Sequence, residues 1–165
     1  MQDVSFQGRY RNINFMYQPT MITWALIVFG LITCLPLLFA QFVMLKEPEG
    51  KAAKDILIGK DEEWRDKTHF KSQYGLAVSD WLIFFPLFTV GIIGIALNSY
   101  WGYLLFAVSG AIQLYINVAL WFLEKEYVYP KKGPLRYYTY YWGSFIYWGA
   151  ASLIYGVYRL NGNVF

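Results

Sequence analysis

Four long apolar runs dominate this sequence, at about residues 21–45, 75–98, 100–123 and 135–158. A helix needs roughly 20 apolar residues to cross the hydrocarbon core of a bilayer, which is about 30 Å thick. Hydrophobic residues occupy 57% of the 165 positions, more than a soluble domain of this length buries. The sequence therefore predicts an all-α integral membrane protein with four transmembrane helices in one bundle.

The connecting segments indicate how these helices follow one another. Residues 46–74 mix acidic and basic side chains and suit a short amphipathic helix at the level of the lipid headgroups. The connection at 98–101 is so short that the second and third helices must be antiparallel neighbours. We expect residues 1–165 to form a single transmembrane domain, with kinks at Pro36 and Pro86, where proline removes a backbone hydrogen bond.

The distribution of basic residues predicts the orientation in the membrane. Most of the 14 Lys and Arg residues lie in or next to the loops at 46–74 and 124–134. By the positive-inside rule these two loops are cytoplasmic, and the prediction holds equally for a bacterial inner membrane and for the endoplasmic reticulum. The net charge of +3 is spread over the loops, which argues against a nucleic-acid partner.

Polar side chains interrupt the third and fourth apolar runs at helical spacing. On a helix that turns about 100° per residue, Ser109, Gln113, Asn117 and Glu124 fall within one narrow arc. Because amides and carboxylates are costly in lipid, this stripe is expected to face the interior of the bundle. A second stripe, on the fourth run, combines aromatic rings with polar tips: Tyr137, Tyr141, Ser144, Trp148, Ser152, Tyr155 and Arg159. Together the stripes predict a polar and aromatic cavity of ligand size.

Asp80 and Glu124 are the acidic residues of this region. The second run begins, the third ends and the fourth begins on the same side of the membrane, so both carboxylates are expected to lie near Asn117 and Arg136 there. An ionisable residue inside a membrane segment is a functional hypothesis by default. A structural ion pair with Arg136, or with a lysine near a helix end such as Lys71 or Lys125, explains the same residues, and both interpretations stay open.

The residues of familiar cofactor chemistry are scarce in this chain. Cys34 is the only cysteine and His69 the only histidine, so no cluster of these ligands for a metal ion is available. The sequence also has no GxSxG, HExxH, P-loop or dinucleotide-binding motif. We therefore predict no metal site and no cofactor.

The third and fourth runs carry a motif that resembles a known family. Gln113, Tyr115, Asn117, Val118, Phe122, Leu123 and Glu124 are followed by a short polar loop, by GPLRYY and by Trp148. This pattern, over roughly residues 109–158, resembles the emopamil-binding protein branch of the EXPERA membrane family. The resemblance implies a four-helix core that binds sterols and cationic amphiphiles, with Trp148 lining the ligand cavity and Asn117 in place of an aspartate.

The resemblance supports the cavity more than the isomerase reaction of that family. Thr33 and Leu37 stand where the family's isomerases carry a His and a Glu, and Asp80 only approximates a Glu of the second helix. General acid and base groups must titrate, which threonine and leucine do not. The family's loops are also usually drawn on the lumenal side, against the orientation predicted from the charges.

These observations favour a membrane-embedded binder of a lipophilic ligand, such as a sterol, a lipid or a cationic amphiphile. Two other functions fit the same features. One is a sterol-type double-bond isomerase, for which Asp80 and Glu124 are the candidate catalytic residues. The other is a small accessory subunit, whose stripes contact a larger membrane complex or a second copy of the chain. The predicted ligand contacts are Asp80, Gln113, Asn117, Glu124, Tyr141, Ser144, Trp148 and Tyr155, and the expected partners are membrane lipids and the lipophilic small molecule.

Overall fold

A computed structural model of the protein describes residues 17–58, 60, 63–127 and 138–164, and within these ranges the side chains outside 123–127 and 138–142. All of the regular elements in this part are helical, which confirms the predicted all-α class for it. One π-helical turn (Asp80–Phe84) joins the third helix to the fourth. The helices are α1 (Met21–Lys46), α2 (Lys51–Leu57), α3 (Lys67–Ser79), α4 (Phe85–Ala96), α5 (Tyr100–Tyr127) and α6 (Tyr138–Leu160).

Three helical segments are long and apolar enough to cross a membrane. They are Met21–Lys46, Lys67–Ala96 and Tyr100–Phe122, and they agree with three of the four predicted spans. The fourth predicted span coincides with α6, which packs along α5 over most of its length. Passage of α6 through the bilayer stays a prediction, as does the cytoplasmic orientation of the two loops.

The second spanning segment begins about two helical turns earlier than the predicted start near residue 75. Asp66 caps α3, because its Oδ1 accepts hydrogen bonds from the backbone N–H groups of His69 (2.9 Å) and Thr68 (2.6 Å). These hydrogen bonds lower the pKa of the Asp66 carboxyl, so the cap is lost only when the pH falls through that lowered pKa. The polar segment before the cap contains the short helix α2, as its composition predicts.

The π turn ends two residues before Pro86. Its backbone is wider than that of an α-helix, since the N–H of Phe85 donates to the carbonyl of Asp80, five residues earlier. The ring of a proline collides with the preceding turn of a regular helix, so a wider turn here makes room for the ring. Pro36, in contrast, lies inside α1 without ending it. The kink angles at the two prolines stay predictions.

The hairpin between α4 and α5 has the predicted antiparallel geometry. Asn98 adopts a positive φ of 54°, which lets the chain reverse within a few residues. Glycines on both helices allow the backbones to meet, because a Cβ atom on Gly94 would lie 2.6 Å from the Cα of Gly102. One turn earlier in α4, a Cβ on Gly91 would lie 3.0 Å from the backbone nitrogen of Phe106.

Trp148 of α6 occupies the centre of the core and has no exposed surface. Its indole lies against Gly30 of α1, where a Cβ atom would come within 2.6 Å of the indole nitrogen. That nitrogen donates a hydrogen bond of 2.9 Å to the carbonyl of Leu26. Three phenylalanine rings from the π turn, α4 and α5 meet the indole edge to face, which is the favoured geometry for aromatic pairs. They are Phe84, Phe88 and Phe106, with centroids 6.4, 5.4 and 5.7 Å from that of Trp148.

We expect Gly30→Ala to lower the free energy of unfolding by about 1–3 kcal/mol, because the added methyl group overlaps the Trp148 indole. Gly75→Ala is the matched control, since a Cβ there meets nothing within 4 Å. It should raise stability by about 0.5–1 kcal/mol through helix propensity. Unfolding by sodium dodecyl sulfate in mild detergent micelles measures both. Equal effects of the two substitutions would contradict the contact.

Candidate functional site

The predicted polar stripe of α5 faces the interior. Ser109, Gln113 and Asn117 are all buried, which confirms their inward orientation. The Asn117 amide nitrogen donates to the side-chain oxygen of Gln113 (2.7 Å) and to its backbone carbonyl (2.8 Å). Ser109 is satisfied within its own helix, by a hydrogen bond of 2.9 Å to the carbonyl of Leu105. The side chain of Glu124 lies outside the described part.

The hydrogen bond between these two amides leaves one buried donor and one buried acceptor. Within the described part of the chain, Gln113 Nε2 and Asn117 Oδ1 have no hydrogen-bond partner, and neither has the hydroxyl of Ser152 on α6. The two helices are in tight contact at this level, since a Cβ on Gly149 would lie 2.7 Å from the carbonyl oxygen of Gly110. A buried polar atom without a partner costs about 1–3 kcal/mol, so a group that supplied hydrogen bonds here would bind favourably.

The stripe of α6 also faces the interior where its side chains are described. Trp148, Ser152 and Arg159 have no exposed surface, Tyr155 is buried and Ser144 is partly buried. Tyr137 and the side chain of Tyr141 lie outside the described part. The role of these residues as ligand contacts stays a prediction.

Asp80 faces α1 across the start of the π turn. Its Oδ2 accepts a hydrogen bond of 2.6 Å from Nε2 of Gln41, and the exposed fractions of the two residues are 8% and 5%. Trp81, the next residue, donates from its indole nitrogen to the carbonyl of Leu38 (3.2 Å) and so fixes the same pair of elements.

The structural ion pair considered for Asp80 is absent among the described side chains. Lys71 is exposed, and no salt bridge joins it to Asp80. Arg136 and the side chain of Lys125 lie outside the described part. The partner that the structure provides is Gln41, which sequence reasoning missed. The sequence did contain an indication of this partner, because Gln41 is the only amide in the largely apolar sequence of α1.

Asp80 is separated from the aromatic core by one helical turn. Phe84 follows it at the end of the π turn, and the Phe84 ring contacts Trp148. No hydrogen bond joins Asp80 or Gln41 to Gln113 or Asn117 within the described residues. The described part of the chain therefore holds two polar pairs: Asp80 with Gln41 beside the π turn, and Gln113 with Asn117 on the buried face of α5.

Tyr155 belongs to a separate network at the other end of the bundle. Its hydroxyl lies 2.7 Å from the hydroxyls of both Thr20 and Thr23, at the start of α1. Arg159 donates to the carbonyl of Gln18 (2.7 Å), and its guanidinium carbon lies 4.8 Å from the centre of the Tyr103 ring. Thr23 and Gln41 are 18 residues apart in one helix, or about 27 Å. Tyr155 and Asp80 therefore do not contact the same small polar group.

The outer face of α1 is apolar. A shallow groove there is lined by Met21, Trp24, Ala25, Val28, Phe29 and Ile32. In a membrane-spanning helix such a surface would contact lipid acyl chains, and membrane lipids as partners stay a prediction.

No protein-family model, curated protein or solved structure matches this chain. The resemblance to the EXPERA family depends on the motif of α5 and α6 and stays a prediction.

We expect Tyr155→Phe to lower the free energy of unfolding by about 1–2 kcal/mol, because it removes the hydroxyl that joins α6 to the start of α1. Tyr147→Phe removes the same group from a residue of α6 that is 73% exposed, and should change stability by less than about 0.5 kcal/mol. Detergent unfolding curves of the two variants test the network. A Tyr155→Phe variant as stable as the wild type would show that the two hydrogen bonds do not contribute.

Proposed function

We propose that this protein binds a lipophilic ligand between its helices, within the membrane. The observation that carries the proposal is a group of buried polar atoms that have no hydrogen-bond partner in the described part of the chain. Native interiors leave few such atoms unless a water molecule, an ion or a ligand pairs with them. Three of these atoms lie on α5 and α6: Gln113 Nε2, Asn117 Oδ1 and Ser152 Oγ.

The apolar part of the ligand is expected to lie among the aromatic rings around Trp148. Sites for small molecules are mainly apolar and aromatic, with a few polar groups that fix the orientation. Since Trp148 has no exposed surface, binding requires α6 to separate from α1 at the Gly30 contact. The π turn and Pro36 are the places where the surrounding helices bend most easily. A flat apolar molecule that enters from the lipid suits this arrangement.

The two polar pairs suit different ends of a ligand. Gln113 and Asn117 offer one donor and one acceptor, both neutral, and suit a neutral polar group. Asp80 offers a carboxyl group and suits a cationic end. The family resemblance independently suggests ligands of both kinds, neutral sterols and cationic amphiphiles.

Binding is proposed rather than catalysis. Moving a double bond requires one group that donates a proton and another that removes one. Asp80 can titrate, but Thr33, at a position where the resembled isomerases carry one of these groups, is a buried hydroxyl that donates to the carbonyl of Phe29 (2.8 Å). Leu37 at the second position has no polar atom. Glu124 remains the other candidate for a catalytic role.

The double variant Gln113→Leu/Asn117→Leu tests the binding site. Replacing both members of a buried polar pair by apolar groups of similar size is nearly neutral or stabilising for folding. The same change should weaken the binding of a radiolabelled neutral sterol by about tenfold or more, because it removes hydrogen bonds worth about 1.4 kcal/mol or more. Saturation binding in mixed micelles and detergent unfolding give the two readouts.

Ser109→Ala is the control for this variant. Ser109 lies on the same face of α5, but its hydroxyl is already satisfied by Leu105, so binding should be unchanged. The proposal fails if wild-type protein shows no saturable binding of a sterol or of a cationic amphiphile. If the double variant then also loses a co-purifying membrane protein, the chain is an accessory subunit instead.

Asp80→Asn should distinguish the two classes of ligand. We expect it to weaken a cationic amphiphile by about tenfold, since a charge-assisted hydrogen bond is replaced by a neutral one. A neutral sterol should lose less than about threefold, because it makes no use of the charge. Competition binding with one ligand of each class, at an alkaline pH that ionises Asp80, measures the ratio. Equal losses for both ligands would indicate that Asp80 acts through the structure rather than through contact.

A further inference from the structure

The Asp80 and Gln41 pair differs from the rest of the site, because one of its members titrates inside a membrane-spanning segment. We propose that Asp80 is a proton-binding site and that the bound proton completes a two-hydrogen-bond pair with the Gln41 amide. This inference does not depend on ligand binding. It concerns the protein without a ligand.

The carboxyl group of Asp80 and its amide partner do not match in charge. Asp80 and Gln41 are both more than nine-tenths buried, and one hydrogen bond of 2.6 Å joins them. An amide is neutral, so it does not compensate a carboxylate charge in a surrounding of low dielectric constant. A neutral carboxylic acid has no charge to compensate and suits an amide partner.

Gln41 has one amide atom that Asp80 does not use in its ionised form. The amide nitrogen donates to Asp80 Oδ2, whereas Oε1 is buried and has no hydrogen-bond partner among the described residues. A carboxylate only accepts hydrogen bonds, but a protonated carboxyl group also carries one O–H donor. A proton on Asp80 Oδ1 would donate to Gln41 Oε1 while Oδ2 continues to accept from Nε2. The acid and the amide would then satisfy each other through two parallel hydrogen bonds.

The elements packed against the π turn provide no counter-charge in the described part of the chain. The facing portion of α1 carries one titratable group, the buried thiol of Cys34, before Lys46 at its end. The last turn of α3 before Asp80 has none, and α4 has none over its whole length. The contact with α6 is made through Trp148, which does not titrate in this range. A proton is therefore the simplest cation that could neutralise Asp80.

The location of the pair suits exchange of this proton with the loop side of the membrane. Gln41 lies close to the C-terminal end of α1, and Asp80 retains 8% of its surface exposed. The step is a simple acid–base equilibrium: a proton from water forms the Oδ1–H bond, and no electron pair leaves the site. Deprotonation leaves the single hydrogen bond from Gln41 Nε2 to the carboxylate.

Infrared spectroscopy of the full chain in lipid vesicles tests the proposal. With aspartate labelled by carbon-13, we expect a carbonyl band of a protonated carboxylic acid at neutral pH, which disappears as the pH is raised. The band should be absent in Asp80→Asn. In Gln41→Leu it should move to higher wavenumber, because the carbonyl loses the hydrogen bond from Nε2. Cys34→Ala is the matched control in the same pocket and should leave the band in place.

A hydrophobic carbodiimide, which reacts with protonated carboxyl groups in apolar surroundings, provides a second measurement. Peptide mapping by mass spectrometry should locate the adduct at Asp80, and its yield should fall with increasing pH. The proposal is overturned if the wild type shows neither band nor adduct from mildly acidic to mildly alkaline pH. A band that survives Asp80→Asn, or one that Gln41→Leu does not move, would also overturn it. The ligand-binding assays are separate, so failure of either proposal is recognisable without the other.

Discussion

The contact between Gly30 and the Trp148 indole is the interaction on which the arrangement of the helices depends. Only a residue without a side chain lets the indole approach the backbone of α1 closely enough to donate to the carbonyl of Leu26. Once the indole lies there, its faces and edges determine where Phe84, Phe88 and Phe106 can pack. In the bilayer setting that we propose, this fit would be favoured by close packing rather than by exclusion of water.

A bilayer would also constrain the polar side chains. An amide or carboxyl group that faces the interior of a membrane-spanning bundle needs a partner within the protein, since acyl chains offer none. Ser109 and Thr33 each donate to a carbonyl one turn earlier in their own helices. Gln113, Asn117 and Ser152 each have one polar atom without a hydrogen-bond partner in the described part of the chain, and this difference separates the candidate site from ordinary polar residues of a helix interior.

Sequence periodicity predicted the parts of this structure that repeat regularly. The inward face of α5 followed from a constant angular step per residue, and the hairpin of α4 and α5 followed from the shortness of its connection. The π turn could not be predicted in this way. It contains about one residue more than an α-helical turn, so it rotates the residues before it relative to the residues after it. Asp80 therefore faces α1, while Gly91 and Gly94 of the same spanning segment face α5. The partner Gln41 is 39 residues away in sequence, and no local pattern relates such positions.

The two ends of α1 are held by different sets of contacts. Near the start of α1, the carbonyl of Gln18 and the hydroxyl of Thr23 are tied to α5 and α6 by hydrogen bonds from Tyr103, Tyr155 and Arg159. At the opposite end, α1 is held by apolar contacts of Met44 with Ala53 and Ala77 and by the hydrogen bonds that join Gln41 to Asp80 and Trp81 to Leu38. For a rigid tilt of α1 about the tied end, the lever arm to Gln41 is about 27 Å. A tilt of about 5° would displace Gln41 by about 2 Å, more than the range of about 0.5 Å over which a hydrogen bond forms. The hydrogen bond of Gln41 with Asp80 is therefore more sensitive to such a tilt than the contacts near the start of α1.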